Sequence, residues 1–506
     1  MIVFYLFLSS VFSLVAAIVC HWLYHIALDR LKKLPPGPLP LPLIGNALLF
    51  IRRDAIDVLK DLRQQYGDII TIHISNSNRA IFFLSYRSIS KVFGERETAE
   101  LVADRPLAMS ISRNVSRGIV WAGWPEARKP RKFATKCLRD FGLFSGGMTA
   151  VKTGSHIQDE IASFINYLDL QCGEPVNILE KLMECLASCV MLPLHGQRLD
   201  LSNERSAGLY EGAKGLLGST FVQVTFSSVL PILRFLYPDK SGQGERQMER
   251  VMTQWLQHEL EIRKDRKHNE EEEEMNDFVD AYLATLKSGD PNQVLPFQVF
   301  MKSMVDMFWS GMETTSQVTS WIIFYLAHYP KWQNEIFEQI ESVVPQFSMP
   351  LPEHRQKLTK LEAFMHEVQR HSGFIPVVLT HSASDSFETT LENGSKCFIP
   401  AKAQIMYPPP LPQMETDYWG DPEVFRPERW LTPDGNIINH SHYMPFGYGK
   451  RHCVGEIAAR GLMYLSVAAM LQRFSWKLAF PVALDDVYMA LNRNPPQHYQ
   501  LVFTHR

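Results

Sequence analysis

The sequence predicts a mainly α fold with a small β component, built as one large domain behind an N-terminal membrane anchor. Three observations predict it. Apolar residues recur at helical spacing through most of the chain beyond residue 150, strand-like runs are few and short, and residues 1–28 contain no Asp, Glu, Lys or Arg. A chain of 506 residues with 46% hydrophobic content can bury a large core, and no linker inside it demands a second domain.

The anchor comes first. Residues 1–28 are rich in Val, Phe, Leu and Ile, and about 20 apolar residues cross a bilayer as a helix. His21 and His25 make the far end amphipathic, so the span centres on residues 2–24. A cleaved signal peptide would begin with a basic segment, which is absent. Arg30, Lys32 and Lys33 follow, and positive charge keeps what comes next on the cytosolic side. Residues 29–46, with Leu34-Pro35-Pro36-Gly37-Pro38-Leu39-Pro40-Leu41-Pro42, read as a stiff proline hinge. Residues 47–506 form the remaining domain.

Within it, residues 56–66 are an amphipathic helix ended by Gly67. Residues 69–74 and 81–84 pair as strands around Ser75-Asn76-Ser77-Asn78. Further strands are expected at 377–380 and 396–399, and the run Pro408-Pro409-Pro410-Leu411-Pro412 ends any ladder by Tyr407 because proline cannot donate to it. The acidic stretch 270–274 is a solvated loop. Seven cysteines show no dense framework, and Cys185 and Cys189, four apart on an apolar helical stretch, read as packed thiols of a reducing compartment. A net charge of −3 argues against a nucleic-acid partner.

Chemistry concentrates in Phe446-Gly447-Tyr448-Gly449-Lys450-Arg451-His452-Cys453-Val454-Gly455, which sets one cysteine before the helical stretch 456–474. A thiol needs help to ionise, and the N–H groups and dipole of a helix N-terminus favour negative sulfur. Gly447, Gly449 and Gly455 let the backbone take positive φ and approach a flat macrocycle, and Arg451 offers its planar fork to a carboxylate. A zinc site would need a second ligand nearby, and no other cysteine is close. A packed thiol or an acyl-transfer nucleophile stays open on Cys453 alone, but the spacing F-x-x-G-x-R-x-C-x-G points to a haem-thiolate site.

With that run, the chain resembles the cytochrome P-450 family, and other segments carry the same resemblance. Ser310-Gly311-Met312-Glu313-Thr314-Thr315, inside the apolar stretch 304–329, is similar to the signature of the long helix that crosses the haem. There Thr314 can turn its hydroxyl back to the Ser310 carbonyl, opening the helix for dioxygen and water, and Glu313 with Thr314 can relay protons. Glu367-Val368-Gln369-Arg370 and Pro427-Glu428-Arg429-Trp430 resemble the E-x-x-R and P-E-R-F elements, which assigns Glu367, Arg370 and Arg429 to the scaffold on the haem side. Trp430 stands where Phe is usual, as a packing residue. Trp124-Pro125-Glu126-Ala127-Arg128 matches the W-x-x-x-R helix facing the propionates, with Arg117 and His381 as further partners and Pro130 as a source of bending.

The resemblance implies a haem-thiolate monooxygenase fold with a single catalytic domain, holding haem b (iron protoporphyrin IX) through Cys453. Arg451, Trp124, Arg128, His381, Arg117, Phe446 and Gly449 would line the cofactor, with Glu313 and Thr314 catalytic. It implies an animal microsomal enzyme in the endoplasmic reticulum membrane, single-pass, that inserts one oxygen atom of O2 into a lipophilic small molecule. Hormone, steroid, fatty acid and xenobiotic are all open. Electrons would come from NADPH through a separate reductase, with cytochrome b5 as a second donor, docking on Lys129, Arg131, Lys132, Arg139 and Lys450. Apolar candidates for the substrate wall are the loop before Trp124, residues 221–236, Phe308, Trp309 and residues 374–379. A haem-thiolate isomerase or dehydratase of lipid peroxides, or a non-catalytic membrane haem- or lipid-binding protein, stands as the alternative.

Overall fold

The structure, a computed structural model, describes residues 2–50, 53–74, 78–106, 118–141, 148–217, 241–265, 275–346, 348–482, 484 and 499–506. Arg117, the apolar stretch 221–236, the acidic stretch 270–274 and most of the turn at 75–77 lie outside the described residues.

Helix α1 (Ile2–Leu31) contains Phe7–Leu31, a 25-residue stretch long and apolar enough to cross a membrane, with none of its apolar window buried. Its last turn is fastened to the domain. Arg79 on β2 (Arg79–Phe83) grips Asp29 at 2.9 and 2.6 Å, and Trp22 Nε1 donates to the Pro40 carbonyl at 2.8 Å. The proline-rich stretch lies along β1 (Ile69–His73): Thr71 donates its N–H to Pro36 and its hydroxyl to Pro35, both at 2.8 Å. Prolines suit this role because their carbonyls accept although they cannot donate. The expected hinge is therefore a strap bound to a sheet edge.

Helix α2 (Ala55–Tyr66) is capped by Asp54, which accepts the Ile56 N–H at 2.8 Å, and it ends at Gly67 with φ 94°. The remaining strands are β3 (Pro175–Val176), β4 (His381–Ser382), β5 (Phe387–Thr390), β6 (Lys396–Ile399), β7 (Gln404–Met406), β8 (Phe474–Leu478) and β9 (Leu501–His505). They form a four-stranded sheet in the order β1-β2-β7-β4, a three-stranded sheet β3-β9-β8 and the hairpin β5-β6. β1 and β2 are antiparallel, with Ile69 opposite Phe83, and β7 joins β2 in parallel. The strand expected at 377–380 begins at His381 instead. The carbonyls of Leu379 and Thr380 are turned out of the ladder to accept Arg105 Nη1 at 2.8 and 2.9 Å.

The helical body comprises α3 (Trp124–Phe141), α4 (Met148–Leu170), α5 (Leu179–His195), α6 (Glu204–Leu217), α7 (Ser241–Asp265), α8 (Phe278–Ser288), α9 (Phe297–His328), α10 (Pro330–Val343), α11 (Thr359–Ser372), the single turn α12 (Pro410–Gln413) and α13 (Glu456–Arg473). Pro130 does not cut α3 short. α9 begins seven residues before the expected 304, directly after Pro296, because Phe297, Phe300 and Met301 extend its apolar pattern. At 1.5 Å per residue its 32 residues span about 48 Å. Its first half, with Phe300, Met304 and Phe308, packs into one core cluster with α5–α8. Its second half, Val318 to Leu326, packs into another with α4, α11 and α13. Cys185 and Cys189 are buried on α5, as expected.

Candidate active site

The loop leading to Cys453 is bent by two left-handed glycines, Gly447 (φ 80°) and Gly449 (φ 81°). At Gly449 the close approach is to protein, since a Cβ there would run into the Phe93 carbonyl. Gly455 has an ordinary φ of −89° and caps α13. The Cys453 N–H closes the loop on the Phe446 carbonyl at 3.0 Å. The neighbours of Cys453 are anchored in different places: Val454 packs into the cluster containing Met307, Phe308 and Met312 of α9, while Phe446 packs into the other cluster under the Arg460 guanidinium, 4.7 Å from its ring centroid. The Cys453 side chain itself is accessible.

Protein surrounds the sulfur closely enough that desolvation pushes its pKa above the ordinary thiol value, outweighing the Gly455 N–H and the Arg131 and Arg460 cations. The helix end alone therefore does not release the proton, contrary to the expectation from its position. A metal ion would.

On α9 the two halves are buried, but the middle is not. Ser310, Gly311 and Glu313 are partly accessible and Thr314 is exposed, between buried Phe308 and buried Thr315. Thr314 Oγ1 donates to the Ser310 carbonyl at 2.7 Å, as its spacing predicts, yet the helix runs on unbroken. Gly311 is required by packing, because a Cβ there would sit 3.2 Å from Val190 Cγ1 on α5. Burial raises the Glu313 pKa to about 7, and among the described residues no hydrogen-bond donor offsets it. Phe308, expected in the substrate wall, is fully buried core, whereas Trp309 and residues 374–379 stay partly accessible.

The predicted propionate partners separate into two groups. Trp124 Nε1 and Arg128 converge, but on the Glu100 carboxylate, which Lys450 also reaches at 3.1 Å. These donors outweigh desolvation and hold Glu100 down to about 2. Arg451 points elsewhere, donating to the carbonyls of Ala103 (2.7 Å), Ile119 (3.2 Å) and Ala122 (2.6 Å). Arg105, which the sequence gave no reason to single out, donates to Val120, Leu379 and Thr380 carbonyls. His381 Nδ1 sits 2.8 Å from the Val102 carbonyl. Arg131, expected on a surface for an electron donor, turns inward to the His452 carbonyl because its side chain is drawn toward Cys453.

Arg105, Arg131, Arg451 and His381 thus gather inside the protein, and among the described residues their hydrogen-bond acceptors are backbone carbonyls. Burial, then mutual repulsion, lowers the pKa of Arg105, Arg451 and His381, and the nearby Asp104 does not cancel it. Buried cations without counter-charge are costly, so this cluster fits a dianionic cofactor such as a porphyrin with two propionates. Asp306 was also missed. It accepts the Ile119 and Val120 N–H groups at 2.8 and 3.0 Å, pinning to α9 the segment whose carbonyls hold Arg451 and Arg105. Only its fold-level neighbours identify it; its own sequence position carries no signal.

The scaffold residues do meet. Glu367 accepts Arg370 Nε (2.8 Å) and Nη2 (2.7 Å), Arg429 Nε (3.1 Å) and the Arg426 N–H (2.8 Å). Trp430 is more than packing, since its Nε1 donates to the same carboxylate at 2.9 Å. Burial would raise the Glu367 pKa, but these donors hold it below the ordinary value.

A long helix crossing a mostly helical body, an accessible cysteine before a second helix and an internal cluster of cations define the architecture of a haem-binding oxygenase. The sequence model of the cytochrome P450 family matches residues 35–502, and the chain belongs to that family. The chain is 27% identical over 494 residues to cytochrome P450 2B19 of Mus musculus, covering 93% of this chain and 94% of the relative. It is 26% identical to cytochrome P450 2E1 of Sus scrofa, covering 93% and 92%, and 26% identical to cytochrome P450 2L1 of Panulirus argus, covering 88% of each. Members of the family bind haem b and are monooxygenases, so this chain is a haem-dependent oxidoreductase that incorporates oxygen.

Proposed function

We propose that Cys453 is the thiolate ligand of the haem and that Glu313 and Thr314 manage protons above it. The reaction is insertion of one oxygen atom from O2 into a lipophilic small molecule at the membrane. The observation that supports this most is the pairing of an accessible Cys453 with a stretch of accessible residues in the middle of α9, joined by Val454 and Met312 in one apolar cluster. When bound, the haem iron supplies reductive activation of dioxygen, and a thiolate ligand favours O–O cleavage by pushing electron density to the metal.

Arg105, Arg451 and His381 are the residues that would hold the propionates; Trp124 and Arg128 join them by exchanging Glu100 for the cofactor's carboxylate, and Arg117 is assigned by sequence alone. Arg460 fixes Phe446 beside the ligand. Thr314 offers an accessible hydroxyl whose proton already points along a defined line to Ser310, and Glu313 is held near a pKa that lets it give and regain a proton at neutral pH. The partly accessible apolar residues 374–379 suit a lipophilic guest arriving from the bilayer that α1 enters.

Arg30, Lys32 and Lys33 orient the domain to the cytosolic face of the endoplasmic reticulum. Electrons from NADPH arrive through a reductase, with cytochrome b5 as a second donor. Exposed Lys132, Lys136 and Arg139 on α3 are the docking face; Lys129 is occupied by the Pro291 and Val294 carbonyls. The test is the absorption spectrum of the reduced protein under carbon monoxide. A thiolate-ligated signature that disappears in Cys453→Ala supports the assignment, and haem retained unchanged in that variant refutes it. In Thr314→Ala haem should bind normally while electrons are lost to peroxide.

A further inference from the structure

We infer that the proline-rich run 408–412 is a rigid spacer that sets Tyr407 and Gln413 as positioning residues for the Cys453 loop. The inference rests on the assignment of Cys453 as haem ligand and goes beyond it.

The two residues flank the run and both are 1% exposed. The Tyr407 hydroxyl accepts the Tyr448 N–H at 2.7 Å, and Gln413 Oε1 accepts the Met444 N–H at 3.2 Å. Between those two donors the chain makes a turn, with Gly447 N–H on the Met444 carbonyl at 3.1 Å, and Cys453 follows five residues later. The turn that leads into the ligand loop is therefore held at both ends by side chains from a single short segment. Gly447 belongs to the same fit: a Cβ there would stand 3.2 Å from the Tyr407 hydroxyl.

The segment is well placed to be stiff. Pro408, Pro409, Pro410 and Pro412 have fixed φ and no N–H, so this backbone cannot extend the β7 ladder or shift its register. Its two ends are tied separately. Val378 N–H holds the Tyr407 carbonyl at 3.1 Å, and Arg370 Nη1 holds the Gln413 carbonyl at 3.0 Å. Leu411 is buried against α2 and the sheet, and Trp419 Nε1 donates to the Pro412 carbonyl at 3.1 Å. Gln413 thereby links the Glu367–Arg370 scaffold to the start of the ligand loop, while Tyr407 links the sheet to its middle. Either acceptor alone would leave the turn free to pivot.

The experiment uses full-length, haem-loaded protein: wild type, Tyr407→Phe, Gln413→Met, Gln413→Glu and the double variant Pro409→Ala/Pro410→Ala. Each is reduced under carbon monoxide, and the ratio of neutral-ligand to thiolate-ligated absorption is read beside the melting temperature. Tyr407→Phe and Gln413→Met are expected to raise that ratio about fivefold, the effect of one buried hydrogen bond. Gln413→Glu keeps the acceptor and should stay within twofold of wild type, and the proline variant should fall between. If Tyr407→Phe fails to load haem, the Gln413 pair still decides. An unchanged ratio in Tyr407→Phe and Gln413→Met overturns the inference, even if melting falls, because the residues would then be packing only. A wild type without any thiolate signature would instead remove the ligand assignment itself, a different result from variants that match a normal wild type.

Discussion

Two regions of this protein bury arginines, and they do so in opposite ways. Around Glu367, Arg370 is fully buried and the Arg429 side chain is 5% exposed, yet each meets the same carboxylate. Around Arg451, three arginines and a histidine crowd together with carbonyl oxygens as their acceptors. The first region closes its charge internally and needs nothing from outside. The second keeps positive charge in the interior at a cost to stability, which is reasonable only where an anion is to be held.

The largest effect should come from breaking the closed region. Removing one partner of a buried ion pair strands the other, at about 3–5 kcal/mol. Arg370→Ala should therefore lose about that much stability in chemical denaturation, with and without haem. Arg451→Leu and Arg105→Met should behave differently: relieved of repulsion, the haem-free protein keeps its stability, while haem is released about 10–100 times faster as charge-assisted hydrogen bonds worth about 1.5–3 kcal/mol are lost. Transfer of haem to an apo-globin acceptor measures that rate. If haem-free Arg451→Leu were as destabilised as Arg370→Ala, the contrast between the regions would vanish.

The same contrast explains what could be read from the sequence. The Cys453 loop, the Glu313-Thr314 pair and the E-x-x-R element are contiguous, so local spacing carries their chemistry, and α2, β1, β6 and α13 fell within a residue or two of expectation. Arg105 could not be found that way, because its acceptors lie at Val120 and Leu379, and only the fold brings them together. Glu100 likewise intercepts Trp124 and Arg128 from outside their motif. Proline at 408–412 signalled the end of a strand correctly, but not that Tyr407 and Gln413 would face the ligand loop. Tertiary placement, which one-dimensional periodicity does not encode, supplied each of these.

A smaller change sharpens the closed region. Trp430→Phe restores the residue usual for the motif and removes the indole N–H from Glu367, which retains Arg370, Arg429 and the Arg426 amide. A loss of about 1–2 kcal/mol is expected, with an unchanged carbonyl spectrum. A shift in that spectrum would show that the scaffold reaches the ligand by a route other than Gln413.

Glu313 is the acidic mirror of the Arg451 region, a buried charge without a partner among the described residues, and it predicts the mildest effect. Its carboxyl is raised from 4.5 to about 7 by desolvation, so the folded protein binds this proton more tightly than the unfolded chain. The associated stability is complete below the ordinary carboxyl value and is lost as pH rises through about 7. The proton-donating form is lost over the same interval, so the fraction of electrons recovered in product should fall severalfold as pH climbs through neutrality, with peroxide rising in step. Glu313→Gln cannot titrate. Its stability and its peroxide yield should be flat across that interval, with the yield at the high level that wild type reaches only in alkali. A variant that kept the wild-type pH limb would assign the titration to another group, and Asp306, also raised to about 7 by burial and two turns away on α9, would be the one to replace next.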